Sequence, residues 1–294
     1  MKHVTLSVVV LVAAFSLGIG GAKAAAVDEG WTAIWPKGKM PDPQPHQQVE
    51  PAIKWFSPEA ERSDVCLIVA PGGSYNGWCY SHEGAQVATN FIKQGITVAV
   101  LRYRTPRPVG LPKHVTAWQD AQRAVRVVRS EAATRGFAPD KIGFCGFSAG
   151  GHLALMAATS SMTQSYAPID ELDKNPCNVN FAILVYPAYV LSDGFDGQNT
   201  TKGNIPGLEL APEFAFDAKT PPMCFFHGDE DLYSPMGSIN LYVKLRRMGI
   251  AGELNVFSGL GHGFGASRGD RGWAWIWNGW ECTAVKWLKQ IRLK

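Results

Sequence analysis

A serine held between glycines, in "GFSAGGH" (146–152), is the residue whose surroundings point most directly to chemistry. A serine hydroxyl is a poor nucleophile at neutral pH and needs a histidine to accept its proton and a carboxylate to orient that histidine. The chain offers both further on, in that order. The stretch "FFHGDEDLYSP" (225–235) spills acids out of an apolar run, and "FSGLGHGFG" (257–265) spills a histidine into a glycine-rich loop. Asp231 is the candidate orienting acid, because it lies farther into its loop and can reach over a sheet edge; Asp229 is the runner-up. His262, between Gly261 and Gly263, is the candidate base. Acyl transfer through a tetrahedral intermediate also needs N–H donors for the oxyanion. The N–H of Ala149 is one candidate. Gly73 and Ser74 in "APGGSY" (70–75) supply the others, since glycines let the main chain approach a ligand closely. Tyr75 and Trp78, beside that loop, are candidates for substrate contact. The histidines show no metal-ligand spacing, so no metal or cofactor is expected, and His152 reads as a packed or hydrogen-bonded side chain.

These residues need a scaffold, and the apolar pattern describes one. Short runs rich in β-branched and aromatic residues occur at 65–70, 97–103, 141–147, 181–187, 223–228 and 253–259, each bounded by Gly, Pro or Asp. Between them, 83–95, 117–136 and 238–249 carry apolar residues at three- and four-residue spacing and end in glycine, as helices do. Strands that are apolar throughout, alternating with helices, imply a mostly parallel sheet covered on both faces. Ser148 then sits at a strand–turn–helix junction, the setting in which Gly-x-Ser-x-Gly exposes its serine. On the helix at 117–136, Asp120 and Arg123 are three residues apart and are expected to form a local ion pair or packing contact.

The flanking segments bear on compartment and partners. Lys2 and His3, an apolar run from Val4 to Ile19 and the motif Ala22-Lys23-Ala24 have the pattern of a cleavable export signal spanning 1–24. The run is shorter than the roughly 20 residues a membrane-spanning helix needs. Its removal leaves 26 basic against 25 acidic side chains, a balance that favours neither nucleic acid nor an anionic membrane. Residues 25–52, rich in proline and glutamine, are expected to form an extended arm, and 53–294 the catalytic domain. Export permits disulfides. Cys66, Cys145 and Cys224 fall in strand runs and are expected to be free, whereas two of Cys79, Cys177 and Cys282 can pair. The segment 187–222, rich in Gly, Pro, Asn and Asp, is expected to form a cap or loop excursion. Near the C-terminus, Trp273, Trp277 and Trp280 share a helical face while Trp275 lies elsewhere, a stripe read mainly as core.

The strand–helix order, "GFSAGGH", "APGGSY", "AWQDAQRAVRVVR", "HGDEDLYSP" and "GLGHGF" together resemble the α/β-hydrolase superfamily. More narrowly they resemble secreted bacterial esterases and lipases of the acetylxylan-esterase and feruloyl-esterase type, from about Trp35 to the C-terminus. The resemblance implies Ser148 as nucleophile, Asp231 as acid, His262 as base, and Gly73, Ser74 and Ala149 as oxyanion donors. Where many relatives have His-Gly-Gly-Gly, this chain has Pro71-Gly72-Gly73-Ser74, so the third glycine is replaced by serine. The implied activity is hydrolysis of short acyl esters, acetyl first, on plant polysaccharide or oligosaccharide. Feruloyl esterase, a general short-chain carboxylesterase, an exopeptidase and a non-catalytic carbohydrate-binding protein on the same fold stand as alternatives.

Overall fold

The six apolar runs become adjacent strands of a single sheet. A computed structural model describes residues 30–47, 49–192, 209–266 and 279–291. Its strands are β1 (Thr32–Ala33), β2 (Ala52–Phe56), β3 (Cys66–Ala70), β4 (Thr97–Arg102), β5 (Ile142–Phe147), β6 (Phe181–Val185), β7 (Met223–Gly228) and β8 (Gly252–Phe257). They lie side by side in the order β1-β2-β4-β3-β5-β6-β7-β8. The first two pairings, β1 with β2 and β2 with β4, are antiparallel, and all the others are parallel. The helices are α1 (Gln86–Ile92), α2 (Val115–Ser130), α3 (Ala132–Arg135), α4 (Ala149–Thr159), α5 (Met236–Arg247) and α6 (Trp280–Gln290).

Strands β3, β5, β6 and β7 are buried along their whole length, which is why their sequences are apolar without alternation. One face packs against α2, α4 and α5 through residues such as Val125, Leu153 and Leu241. The other packs against α1 and α6 through Phe91, Trp280 and Trp287. Trp280 thus belongs to the core; Trp273, Trp275 and Trp277 lie outside the described residues, as do the 1–24 segment and residues 193–208 of the 187–222 excursion.

From β3 the chain steps outward to β4 and then returns past β3 to β5. Such a reversal opens a crevice at the C-terminal strand ends, where open α/β sheets bind ligands. The register sets Ala70 beside Gly146, so the loop after β3 and the turn after β5 leave the sheet as neighbours.

The N-terminal segment, expected as an extended arm, carries two strand pairings with the sheet. It contributes β1, and β2 extends the sheet antiparallel to β4, pairing Trp55 with Ala99. The run "AIKWF" is short, interrupted by a lysine and set between Pro51 and Pro58, which hides its strand character. Between these strands the chain is pinned to α2: Ile34 and Trp35 are buried, and Trp35 Nε1 donates to Asp120 Oδ1 at 2.7 Å.

Asp120 and Arg123 do not pair with each other as expected. Asp120 accepts from the backbone N–H of Arg104 at 2.7 Å and from its Nε at 3.0 Å. Arg123 reaches the opposite way, to Asp170 at 2.7 Å and Asp173 at 3.0 Å. Each buried charge fastens a different segment onto α2. The cysteine bridge that export permits is also not formed: all six thiols are free. Cys177 is buried against the carbonyl of Ser161, while Cys79 and Cys282 are exposed on separate elements.

Candidate active site

The turn that carries Ser148 depends on the absence of two side chains. A Cβ on Gly146 would lie 1.9 Å from the carbonyl oxygen of Gly150, and one on Gly150 would lie 2.1 Å from that of Ala70. Only glycines let β5 turn this sharply into α4 beneath the loop that leaves β3. Ser148 itself is held at φ +52° and ψ −119°, a region that side-chain-bearing residues rarely occupy. Its backbone is pinned to sustain this: its N–H donates to Val185 O at 3.1 Å, and its carbonyl accepts from the N–H groups of His152 and Ala188. Strain of this kind is maintained only where surrounding contacts enforce it.

The loops after β7 and β8 bring two more side chains to the serine. His262 Nε2 lies 2.7 Å from Ser148 Oγ, and its Nδ1 lies 2.9 Å from both carboxylate oxygens of Asp231. With Nδ1–H donating to the carboxylate, Nε2 is left to accept the serine proton. Asp231 is fully buried and is aimed by the N–H of Tyr233, which donates to Oδ1 at 2.8 Å. Asp229 is instead solvent-facing and accepts from the N–H of Gly259 at 2.6 Å, tying the β7 loop to the β8 loop without touching the imidazole.

A second histidine stands behind the acid. His227 Nε2 donates to Tyr233 O at 2.8 Å and lies 3.5 Å from Asp231 Oδ2, while Nδ1 accepts from Ser238 Oγ at 2.8 Å. Burial pushes its pKa down to about 4, so it is neutral at pH 7 and adds a dipole rather than a charge beside Asp231. Rings close the site around His262: Tyr186 meets it at 4.9 Å and Tyr233 at 4.8 Å between centroids.

The loop after β3 is ordered by its carbonyls. In a trans peptide the C=O and the following N–H point opposite ways. Gly72 O accepts from Cys79 N–H at 2.8 Å, which turns the N–H of Gly73 to the other side. Gly73 O accepts from Asn76 and Gly77 N–H at 2.9 and 3.1 Å, which does the same for Ser74. Arg107 Nε then holds the Ser74 carbonyl at 2.9 Å. The N–H groups of Gly73, Ser74 and Ala149 have no hydrogen-bond partner among the described residues. The loop abuts the serine, since a Cβ on Gly72 would lie 2.8 Å from Ser148 Cβ.

Tyr75 is not placed to stack on a ligand. It is fully buried, its hydroxyl lies 2.8 Å from His152 Nδ1, and its ring stacks on Tyr189. The turn that exposes the N–H groups of its neighbours directs this side chain inward. Trp78 is half-buried and packs edge-on against Trp31 and Tyr80. His152 is packed and hydrogen-bonded: Nδ1 faces Tyr75 and Nε2 lies 3.1 Å from Glu213 Oε1. Two side-chain groups, Cys79–His82–Glu83 and His114–His152–Glu213, bring ligand-type atoms within 4.8 Å of one another; the Glu83 carboxylate is engaged by Gly72 N–H and Tyr186 Oη, and that of Glu213 by His152 within its own group.

Sequence reasoning missed Glu83, Tyr186, His227 and Arg107, all of which touch this site or its loops. His227 alone carried a signal, as a histidine at the end of the strand that leads to Asp231.

Known proteins resemble this chain in sequence and fold. An acetylxylan esterase of Xylanibacter ruminicola is 29% identical over 229 residues, which are 71% of this chain and 43% of that protein. The chain therefore spans less than half the length of that relative. The acetyl ester-xyloside bifunctional hydrolase of Caldicellulosiruptor lactoaceticus superposes with a TM-score of 0.73 at 25% identity, covering 90% of this chain and 97% of that one. Thermogutta terrifontis esterase 2, in its form phosphoramylated by tabun, superposes with a TM-score of 0.69 at 25% identity, covering 90% and 95%. The BD-FAE family matches residues 54–245, from within β2 to within α5. That segment holds Ser148, Asp231 and most of the sheet that presents them, and the chain belongs to the BD-FAE family with the α/β-hydrolase fold.

Proposed function

We propose that this chain is an exported serine esterase that removes short acyl groups, acetyl foremost, from plant polysaccharide or its oligosaccharides. One observation carries the reading. An unbroken hydrogen-bonded chain, Ser148 to His262 to Asp231 at 2.7 and 2.9 Å, stands beside N–H groups of Gly73, Ser74 and Ala149 that no described residue uses.

In this reading Ser148 Oγ attacks the ester carbonyl as His262 Nε2 takes its proton. The oxyanion is received by the three N–H groups, and the imidazolium is stabilised by Asp231. His262 returns the proton to the leaving alcohol. Water, activated by the same imidazole, then releases the acid and regenerates the serine. No cofactor is required by these steps.

The short-acyl preference is supported by what fills the far side of the oxyanion loop: Tyr75, Tyr189 and His152 are all buried there. Each added methylene needs a pocket worth about 0.8 kcal/mol, and these packed side chains occupy that side of the loop. The carbohydrate substrate rests on the relatives, one an acetylxylan esterase and one an acetyl ester-xyloside hydrolase. Export rests on the leader-like 1–24; no described helix is long and apolar enough to cross a membrane. We also propose 25–52 as an arm on a catalytic domain formed by 53–294.

The test combines a fluorophosphonate probe with kcat/KM on p-nitrophenyl acetate, butyrate and octanoate, and with acetate release from acetylated xylan. Labelling of Ser148, falling efficiency with chain length and acetate release are expected. Efficiency rising with chain length and no acetate from xylan would leave a general carboxylesterase. Release of ferulate without acetate would make it a feruloyl esterase. No labelling at all would leave a non-catalytic binding protein.

A further inference from the structure

Glu83 is a buried carboxylate to which the steps above give no task. It lies on the wide turn Ser81–Ala85 that leads into α1, and only 3% of it is exposed. Its two oxygens are divided between two loops. Oε2 accepts from the N–H of Gly72 at 2.7 Å, at the root of the loop that presents Gly73 and Ser74. Oε1 accepts from Tyr186 Oη at 2.7 Å. The tyrosine oxygen in turn accepts from the N–H of Gly265 at 2.8 Å, in the loop that carries His262. The Tyr186 ring lies edge-on to His262 and, at 4.4 Å, to Phe264. The same two regions are joined again by Ala266 N–H, which donates to His82 O at 2.8 Å.

We infer that Glu83 and Tyr186 form a buried strut that sets the oxyanion loop and the His262 loop at a fixed separation, so that the donors and the base address the same carbonyl. They are positioning residues. The inference rests on the esterase reading of the site.

The chemistry of the pair explains the residue types. Both neighbours of Glu83 present hydrogens to it, an N–H and an O–H, and a carboxylate is the side chain that only accepts. Glutamine would offer one acceptor and one donor. Turned so that its oxygen keeps Gly72, it presents an amide N–H to Tyr186, whose oxygen already accepts from Gly265 and whose own proton then has no acceptor. Phenylalanine at 186 keeps the ring against His262 and removes both links at once.

The test uses the full chain with Glu83→Gln, Tyr186→Phe and the double variant. Active sites are titrated with a fluorophosphonate, kcat and KM are measured on p-nitrophenyl acetate, and Ki is measured for an aryl boronic acid as a tetrahedral oxyanion mimic. Misplacement of catalytic groups by about 1 Å can cost roughly 10²-fold. Each single variant should therefore lose about 10²-fold in kcat per titrated site. KM should stay within about threefold, and boronate affinity should weaken in step with kcat. The double variant should be no worse than the poorer single one, as for groups acting as a unit. Tyr186→Phe keeps the test decisive should Glu83→Gln fail to fold. Unchanged kcat and boronate affinity per titrated site, with only a lower Tm, would overturn the strut, as would losses that multiply in the double variant. Failure of the unaltered chain to react with the probe or turn over the ester removes the basis of the inference by defeating the esterase reading itself; turnover in the unaltered chain with insensitive variants defeats the strut alone.

Discussion

Replacing Asp231 by asparagine tests the hydrogen-bond logic of the site in a single atom. The carboxylate has three claims on it: His262 Nδ1–H on both oxygens and Tyr233 N–H on Oδ1. Both groups donate. An asparagine that keeps its oxygen on Tyr233 presents NH2 to His262, which must then accept through Nδ1 and carry its proton on Nε2, facing Ser148. The serine proton then has no base. The reversed rotamer restores an acceptor to His262 but sets NH2 against the N–H of Tyr233, in a site with no solvent access. A buried unsatisfied group costs about 1–3 kcal/mol, and the wrong imidazole tautomer costs up to about 10⁴-fold in the serine proteases, where the change has been worked through. Loss of kcat/KM on p-nitrophenyl acetate by roughly 10³- to 10⁴-fold is therefore expected for Asp231→Asn. Asp229→Asn keeps an oxygen for Gly259 N–H and should stay within about threefold. Retention of more than a tenth of activity by Asp231→Asn, or a larger loss from Asp229→Asn, would refute this account of the triad.

Three further outcomes follow from the same geometry. Ser148→Ala should leave less than a few per cent of the esterase activity and abolish fluorophosphonate labelling. Its Tm should move little, because Oγ is not part of the core; circular dichroism melts and residual turnover check both halves. Gly146→Ala places a methyl group 1.9 Å from Gly150 O and should cost about 3 kcal/mol or more, or prevent folding, as read by urea denaturation or soluble yield. Stability should also fall on acidification between about pH 6.5 and pH 4. Burial lowers His227 and His114 from their ordinary value to about 4, so across that window the unfolded chain binds protons that the folded chain does not. Urea midpoints at pH 7, 5.5 and 4.5 would check this, and a flat profile would show that these imidazoles are not held neutral.

What the sequence discloses and what it hides divide along a physical line. The turn at Ser148 is legible because it demands glycine at two fixed offsets, and a demand of the backbone is written in residue type. The choice of Asp231 over Asp229 is legible from the reach of a loop past a strand end. The strands β3 to β7 are legible because a doubly covered sheet needs uninterrupted apolar runs. By contrast, Asp120 and Arg123 are neighbours on α2 and suggest each other, yet their partners are Arg104 and the Asp170–Asp173 turn. A helix face shows which residues are adjacent, not which distant segment supplies the countercharge. Tyr75 illustrates a further limit. Its place in the chain beside Ser74 marks it as a substrate contact, but a φ of +60° turns it onto His152, and the sign of one dihedral decides between pocket and core. Glu83 is the extreme case. Its partners lie 11 and 103 residues away, and the third link of the chain, Gly265, is a glycine contributing only a backbone N–H. Nothing in local composition distinguishes this acid from a solvated one. What does so is that it joins the loop bearing Gly73 and Ser74 to the loop bearing His262, a relation that exists only once the sheet has brought their strand ends together.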